Sequence, residues 1–222
     1  MQRAAIFDLD GTLVDTAPDL WHATNHVLTS LGRRAISLDE VRAFVGHGAR
    51  TLLARGLAAT GESLPAPEIE PLFHQFIDYY RDNIAQESVP FPGCLALLDR
   101  LAADGIKLGV CTNKLEGLSV RLLEELDMTR YFGAIIGPDT IGIAKPDAAP
   151  YRETLNRLGI NGGPSVMVGD SETDVLTARA ASVPIIAVTF GYTSKPIAET
   201  NPDHLIDRFD EAYPLIVNAL DS

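Results

Sequence analysis

Residues 4–12 read AAIFDLDGT, an apolar run that ends in acid. The segment Ala4–Leu9 has the length and composition of a strand buried on both faces. Asp8 and Asp10 stand two positions apart, so their carboxylates project to the same side of an extended chain. Like charges this close are costly unless a cation lies between them or one is protonated, and Mg²⁺ with its preference for oxygen ligands meets that need. An acid pair in an ordinary turn is the alternative interpretation of this segment taken alone.

Downstream of Pro90-Phe91-Pro92-Gly93, short apolar strands alternate with helices. The predicted strands are Lys107–Cys111, Ala134–Gly137, Ser165–Val168 and Pro184–Val188. Alternation of this kind predicts a parallel sheet with helices on both faces. The fold class is therefore α/β, with a Rossmann-like core.

A block between the first strand and the others reads as entirely helical. Three features predict helices in this block: Pro18 near a helix start, the capping-box pattern Ser37-x-x-Glu40, and a predicted helix over Ala49–Thr60. Because the block follows the first strand, we expect an inserted all-helical cap domain over residues 16–89. The catalytic core then comprises residues 1–15 plus 90–222, and the crossings near 15–18 and 87–92 are predicted hinges.

Ligands of such sheets lie beyond the carboxyl ends of the strands. The residues that follow the predicted strands, or lie in a later loop, are mostly polar: Asp8, Asp10, Gly11, Thr12, Thr112, Asn113, Lys145, Gly169, Asp170 and Asp174. Each has an ordinary alternative, since Thr112 or Asp170 can simply cap a helix and most lysines are solvated. Four segments far apart in sequence nevertheless place carboxylates, a hydroxyl, an amide and a lysine on one predicted rim.

The amino-acid composition limits the classes of partner that the protein is expected to bind. The 222-residue chain has 30 acidic against 18 basic residues, a formal charge of −12. This balance argues against nucleic acid or an anionic membrane as partner, and no apolar run reaches the ~18 residues of a membrane span. Cys94 and Cys111 sit among apolar neighbours without CxxC spacing, so we expect buried, reduced thiols and a cytoplasmic setting.

Four motifs of this chain resemble, in order and spacing, the four motifs of the haloacid dehalogenase superfamily. They are Asp8-x-Asp10-Gly11-Thr12, Thr112-Asn113, Lys145-Pro146 and Gly169-Asp170-x-x-x-Asp174. The resemblance covers essentially the whole chain. Asp15–Leu20 and the cap stretch from Val45 through Ala58 are similar to those of bacterial phosphoglycolate phosphatases. The family resemblance implies a Mg²⁺-dependent phosphomonoester hydrolase that acts through an aspartyl-phosphate, with 2-phosphoglycolate as the expected substrate. A broad sugar phosphatase or a β-phosphoglucomutase-like phosphotransferase is the alternative.

The same resemblance implies roles for individual residues. Asp8 matches the nucleophile and Asp10 the general acid and base. Asp8, Asp170 and the main-chain carbonyl of Asp10 are the implied Mg²⁺ ligands. Thr112, Asn113 and Lys145 are implied to bind the phosphate, whereas Gly11, Thr12 and Asp174 support these residues from behind. Asp174 holds either metal-bound water or Lys145, and the sequence leaves this choice open.

The presence of Asp10 disfavours carbon–halogen cleavage, because a proton donor two residues after the nucleophile is needed only where an oxygen leaves. Residues 16–86 contain no lysine, which disfavours the phosphonate hydrolases that the family also contains. A protein that kept the fold but lost the reaction is disfavoured because the motif residues are intact.

The cap stretch also carries a specificity hypothesis. Gly46-His47-Gly48-Ala49-Arg50 is a glycine-framed loop that opens a helix. Helix N-terminal amides favour anions, and an arginine can grip a carboxylate with two hydrogen bonds. We expect Arg50 first and His47 second to read the substrate carboxylate, unless both are ordinary exposed residues. The expected partner is a small phosphorylated metabolite, and the chain is expected to be a monomer or homodimer.

Overall fold

The computed structural model describes residues 2–160, 162–193 and 195–221. The strands are β1 (Ala4–Phe7), β2 (Val14–Asp15), β3 (Val89–Pro90), β4 (Lys107–Cys111), β5 (Ala134–Ile136), β6 (Ser165–Gly169), β7 (Ile185–Val188) and β8 (His204–Ile206). The α-helices are α1 (Ala17–Ser30), α2 (Leu38–Phe44), α3 (Ala49–Thr60), α4 (Ala66–Asp82), α5 (Cys94–Ala103), α6 (Glu116–Glu125), α7 (Pro138–Ile141), α8 (Ala148–Arg157), α9 (Glu172–Ala181) and α10 (Ala212–Asp221).

Six strands form one parallel sheet in the order β5-β4-β1-β6-β7-β8. In the central strand β1, Ala4 and Ile6 join an apolar cluster with α8 and α9, whereas Ala5 and Phe7 join the cluster that contains α5 and α10. This alternation follows from the two-residue period of a strand. The predicted parallel α/β sheet with helices on both faces is therefore confirmed.

Helices α1 to α4 lie between β2 and β3, as the helical block predicts. The Ser37 hydroxyl accepts a hydrogen bond from Glu40 N, and the Glu40 carboxylate accepts one from Ser37 N. This reciprocal pair satisfies two amides that the first turn of α2 would leave without partners. We keep the name cap for residues 16–89, and the division of the chain into cap and core stays a prediction.

Two crossings connect the cap to the core, and they lie side by side. β2 and β3 pair in an antiparallel ribbon, with Val14 opposite Pro90 and Asp15 opposite Val89. Behind the ribbon, the buried Asp19 carboxylate accepts hydrogen bonds from Glu87 N, Ser88 N and Ser88 Oγ. One side chain of the first cap helix thus fixes the returning segment.

Several elements were absent from the sequence-based expectation, namely the β2–β3 ribbon, α7, β8 and α10. Cys94 and Cys111 are free and buried, as predicted. Burial raises the pKa of each thiol to about 12. Among the helices of the described residues, none combines the length and apolar character needed to cross a membrane.

Candidate active site

The site is built on the carboxyl end of β1. Asp8 follows this strand, and its amide donates to Val168 O on the neighbouring β6. The carboxylate is buried at a cavity of about 280 Å³ between the cap and the sheet. Burial raises the pKa of Asp8 to about 7, against the attraction of Lys145. Asp8 Oδ1 lies 2.9 Å from Lys145 Nζ, but this contact lacks hydrogen-bond geometry, so the oxygen is buried without a hydrogen-bond partner.

Two further carboxylates meet Asp8 from the end of β6. One oxygen from each of Asp8, Asp170 and Asp174 lies within 4.8 Å of the others. Asp170 Oδ1 accepts from Thr12 Oγ1 at 2.8 Å, and its Oδ2 accepts from Tyr192 N at 2.6 Å. Burial, followed by the charges of Asp174 and Asp8, raises the pKa of Asp170 well above its ordinary value.

The three carboxylates differ in how many further contacts their oxygen atoms can accept. Asp174 Oδ1 accepts from Lys145 Nζ at 2.6 Å. Asp174 Oδ2 accepts from Asp170 N, Ser171 N and Ser171 Oγ. Both oxygens of Asp174 are thus engaged with the protein. Of the two alternatives that the sequence left open for Asp174, the contact with Lys145 is the one present. Asp8 and Asp170 remain as the carboxylates able to offer oxygen atoms to a cation.

The donor set fits a hard divalent cation such as Mg²⁺. The set consists of carboxylate oxygens, which such ions prefer. Asp8 contributes a buried oxygen without a hydrogen-bond partner, and buried like charges call for a compensating positive charge. The use of the Asp10 carbonyl as a third ligand stays a prediction.

Gly11 allows this packing. Its φ is +85°, in the left-handed region, and a Cβ there would lie 2.6 Å from Asp170 Oδ2. A side chain at this position would therefore collide with a carboxylate of the cluster. Gly11 packs against Asp170 and Thr12 donates to it from the loop after β1, while the supporting roles expected of both residues stay predictions.

The loops after β4 and before α8 are joined by Asn113. Its side-chain oxygen accepts from Lys145 N at 3.0 Å, and its amide donates to Lys145 O and Gly46 O at 3.2 Å. Asn113 therefore fixes the Lys145 backbone and contacts the cap loop. Burial favours the neutral form of the Lys145 ammonium, yet the charges of Asp174 and Asp8 outweigh it and raise the pKa of Lys145.

Thr112 is buried and lines the same cavity. Its hydroxyl accepts from Lys114 N at 3.2 Å, and a hydroxyl retains one donor for an anion. The phosphate-binding roles predicted for Thr112, Asn113 and Lys145 stay predictions, as do the catalytic roles of Asp8 and Asp10.

Asp10 has a cation of its own, which the sequence interpretation missed. Lys114 Nζ donates to Asp10 Oδ1 at 2.9 Å and to Tyr80 Oη at 2.7 Å. Tyr80 belongs to α4 of the cap, so this chain of contacts crosses from the cap to the core. Burial raises the pKa of Tyr80 to about 12, which keeps the phenol protonated.

The cap side of the cavity includes His47 and Arg50. Arg50 forms an ion pair with Glu70 and lies 4.0 Å above the centre of the Phe73 ring. Half of its side chain is exposed. The structure thus places both predicted cap residues at the cavity, and their reading of a substrate carboxylate stays a prediction.

Tyr192 is a second residue that the sequence interpretation missed. Its amide donates to Asp170, its hydroxyl contacts Asp15, and the same hydroxyl accepts from Ala17 N at 2.9 Å. Tyr192 thereby links the carboxylate cluster to the first crossing into the cap. Tyr192 lies just beyond β7. The rule that ligand-site residues follow the carboxyl ends of the strands could therefore have predicted it.

Comparison with known proteins agrees with this geometry. Residues 5–188 match the family described as haloacid dehalogenase-like hydrolase. A protein of Agrobacterium fabrum named phosphoglycolate phosphatase is 47% identical over 216 residues, covering 97% of this chain and 93% of that protein. A Caulobacter vibrioides protein of the same name is 44% identical, covering 97% and 91%. The crystal structure of a predicted phosphoglycolate phosphatase from Haemophilus somnus superimposes with a TM-score of 0.90 at 29% identity, covering 96% and 97%.

Proposed function

Because the chain belongs to the haloacid dehalogenase-like hydrolases, we propose that it hydrolyses small phosphate monoesters, with 2-phosphoglycolate as its substrate. One observation carries the proposal. The buried carboxylate of Asp8 lies at the cavity, beside the Lys145 ammonium, in a cluster with Asp170 and Asp174. The names of the Agrobacterium and Caulobacter relatives support the choice of substrate.

In the first step, a carboxylate oxygen of Asp8 attacks phosphorus. The bond from phosphorus to the ester oxygen breaks, and Asp10 gives its proton to that departing oxygen. In the second step, Asp10 takes a proton from water, whose oxygen attacks the phosphorus of the aspartyl-phosphate and releases Asp8. Splitting one displacement into two is the advantage of a carboxylate nucleophile, and one side chain serves as acid and then base.

The surrounding residues handle charge. Lys145, held by Asp174, faces Asp8 and the phosphoryl oxygens, and Thr112 supplies a hydroxyl donor. Asn113 acts by fixing the Lys145 backbone. Asp8, Asp170 and the Asp10 carbonyl would hold Mg²⁺, which when bound offsets the repulsion between the phosphate dianion and the carboxylates. The buried cations explain how a chain of net charge −12 accepts an anion.

The cap completes the proposal. Residues 16–89 cover the cavity, and the crossings near 15–18 and 87–92 serve as hinges that admit substrate and then exclude water. The free, buried cysteines support a reducing, cytoplasmic setting.

The first experiment measures phosphate release with and without Mg²⁺ from 2-phosphoglycolate, β-glucose 1-phosphate, pyrophosphate and p-nitrophenyl phosphate. We expect Mg²⁺-dependent release with preference for 2-phosphoglycolate. Asp8→Asn removes the nucleophile, whereas Asp78→Asn changes an exposed cap carboxylate and is the matched control. Activity spread evenly over the panel would contradict the narrow substrate.

The covalent step has a separate test. Acid-quenched enzyme that has met ³²P-labelled substrate should carry label on the protein in wild type and in Asp78→Asn. No label should appear in Asp8→Asn. Label that persists in Asp8→Asn would contradict the assignment of Asp8 as nucleophile.

A further inference from the structure

One buried cation at the cavity has no role in the reaction proposed above. The Lys114 ammonium contacts Asp10 and Tyr80, and only 5% of the side chain is exposed. Lysines are almost never buried without a partner. Its ion pair with the Asp10 carboxylate, at 2.9 Å, holds the ammonium charged at the wall of the cavity.

The other buried lysine of the site, Lys145, lies beside the nucleophile and not beside the proposed proton donor. Its ammonium lies 2.6 Å from Asp174 and 2.9 Å from Asp8, with 2% of the side chain exposed. It serves the nucleophile and the phosphoryl group. Lys114, by contrast, touches the proposed proton donor, so it lies on the side of the cavity where the ester oxygen departs.

The chemistry of the substrate places a second negative charge on that side. In 2-phosphoglycolate the carboxylate is bonded to the carbon that carries the ester oxygen. The oxygen that Asp10 protonates and the carboxylate are therefore neighbours. An ammonium has three protons to donate, and the two hydrogen bonds of Lys114 to Asp10 and Tyr80 use two of them.

Arg50 is the other arginine or lysine among the described residues that line the cavity. Its guanidinium is already paired with Glu70 and lies over Phe73. About 51% of its side chain is exposed, and water screens such a charge. To bind a substrate carboxylate, Arg50 would have to release Glu70. The cap partner of Lys114 is instead the neutral phenol of Tyr80.

We propose that Lys114, oriented by Tyr80, binds the carboxylate of the substrate and so selects 2-phosphoglycolate over phosphate esters without that group. This inference rests on the proposed function and names the residue that sets its specificity. It competes with the sequence-based prediction that Arg50 does so, and one experiment separates the two.

The experiment compares kcat/KM for 2-phosphoglycolate and ethyl phosphate in wild type, Lys114→Met and Arg50→Met. Both substrates release a primary alcohol, and they differ in the carboxylate. A loss of Asp10 positioning affects both substrates and cancels in the ratio of the two constants. We expect Lys114→Met to lower that ratio at least tenfold, about 1.4 kcal/mol, and Arg50→Met to change it less than about threefold.

Tyr80→Phe is the second variant, because it removes one hydroxyl from a buried ring without changing its packing. It should lower the same ratio in the same direction by a smaller factor. If circular dichroism shows that Lys114→Met is unfolded, the ratio in Tyr80→Phe decides alone. An unchanged ratio in the folded variants, or a larger fall in Arg50→Met, would overturn the assignment.

The outcomes also separate this inference from the proposed function. Wild-type enzyme that hydrolyses neither ester, or that does not prefer 2-phosphoglycolate, would overturn the proposed substrate and Lys114 with it. Wild-type preference that survives in Lys114→Met and Tyr80→Phe would overturn the role of Lys114 alone.

Discussion

Asp19→Ala should destabilise the protein far more than its place in the first turn of a helix would suggest. Asp19 is 2% exposed, and its oxygens lie 2.9 Å from Ser88 N and 2.6 Å from Ser88 Oγ. The same carboxylate accepts from Glu87 N at 3.1 Å. Truncation leaves two backbone amides and one hydroxyl of the second crossing without their acceptor.

The magnitude follows from these contacts. A hydrogen bond to a charged group contributes about 1.5–3 kcal/mol net, and an orphaned buried donor costs about 1–3 kcal/mol. The Ser88 hydroxyl can rotate toward another acceptor, so the two amides dominate the loss. We expect the free energy of unfolding to fall by about 3–5 kcal/mol, which at about 2–4 °C per kcal/mol lowers the Tm by about 6–20 °C.

Urea unfolding followed by circular dichroism measures this loss. The matched control is Asp39→Ala, since Asp39 also lies in the first turn of a cap helix but its side chain is 94% exposed. Helix-dipole and surface-pair effects there amount to less than about 1 kcal/mol. Limited proteolysis should also cut Asp19→Ala first near residues 87–92. Equal unfolding free energies for the two variants would refute the reasoning.

Three further outcomes are expected. Since the pKa of Asp8 is raised from 3.8 to about 7, its contribution to the stability of the metal-free fold is present below pH 4 and lost as pH rises to 7. Mg²⁺ binds the ionised form, so saturating Mg²⁺ should raise the Tm by roughly 5–10 °C at pH 8 and by less at pH 5; an equal gain at both pH values would contradict this. Ser182 has a left-handed φ of 60°, so Ser182→Gly should stabilise the fold by up to about 1 kcal/mol in urea unfolding, and a loss would contradict it. Cys94 and Cys111 should resist iodoacetamide in folded enzyme, with activity retained and no mass increase by mass spectrometry; rapid labelling of either would contradict their burial.

The sequence predicts the central features of the fold because they rest on local patterns. A capping box at Ser37 and Glu40 begins α2 where expected, and α3 spans Ala49–Thr60 as predicted. The strand-end rule brings Asp8, Asp170 and Lys145 together, because parallel strands deliver their carboxyl ends to one edge of a sheet. Local sequence patterns and the topology of the sheet therefore predict the same arrangement of these site residues.

The missed residues depend on contacts that no local pattern encodes. Lys114 and Tyr80 are 34 positions apart and meet only because α4 packs over the loop after β4. Tyr192 donates to Asp170 through its backbone amide, which every residue except proline carries. The identity of its side chain therefore does not predict this contact. These links appear only when the cap lies on the core.

The missed elements have two different causes. β8 comprises three residues at the edge of the sheet, and two of them are exposed, so it shows no alternation long enough to read. α10 is different, since Ala212, Ile216 and Leu220 are buried at a four-residue spacing. That pattern was visible in the sequence and predicts an amphipathic helix.

The β2–β3 ribbon brings the start and the end of the helical insertion side by side. The cap leaves the sheet domain at Asp15 and returns at Val89, and these two residues pair directly across the ribbon. A short turn could join the paired strands in place of the whole insertion, without altering the register of the six-stranded sheet. Insertions of other sizes could be grafted at the same junction. The sheet that carries the acids and the helices that cover the cavity could therefore vary independently in evolution and in protein engineering.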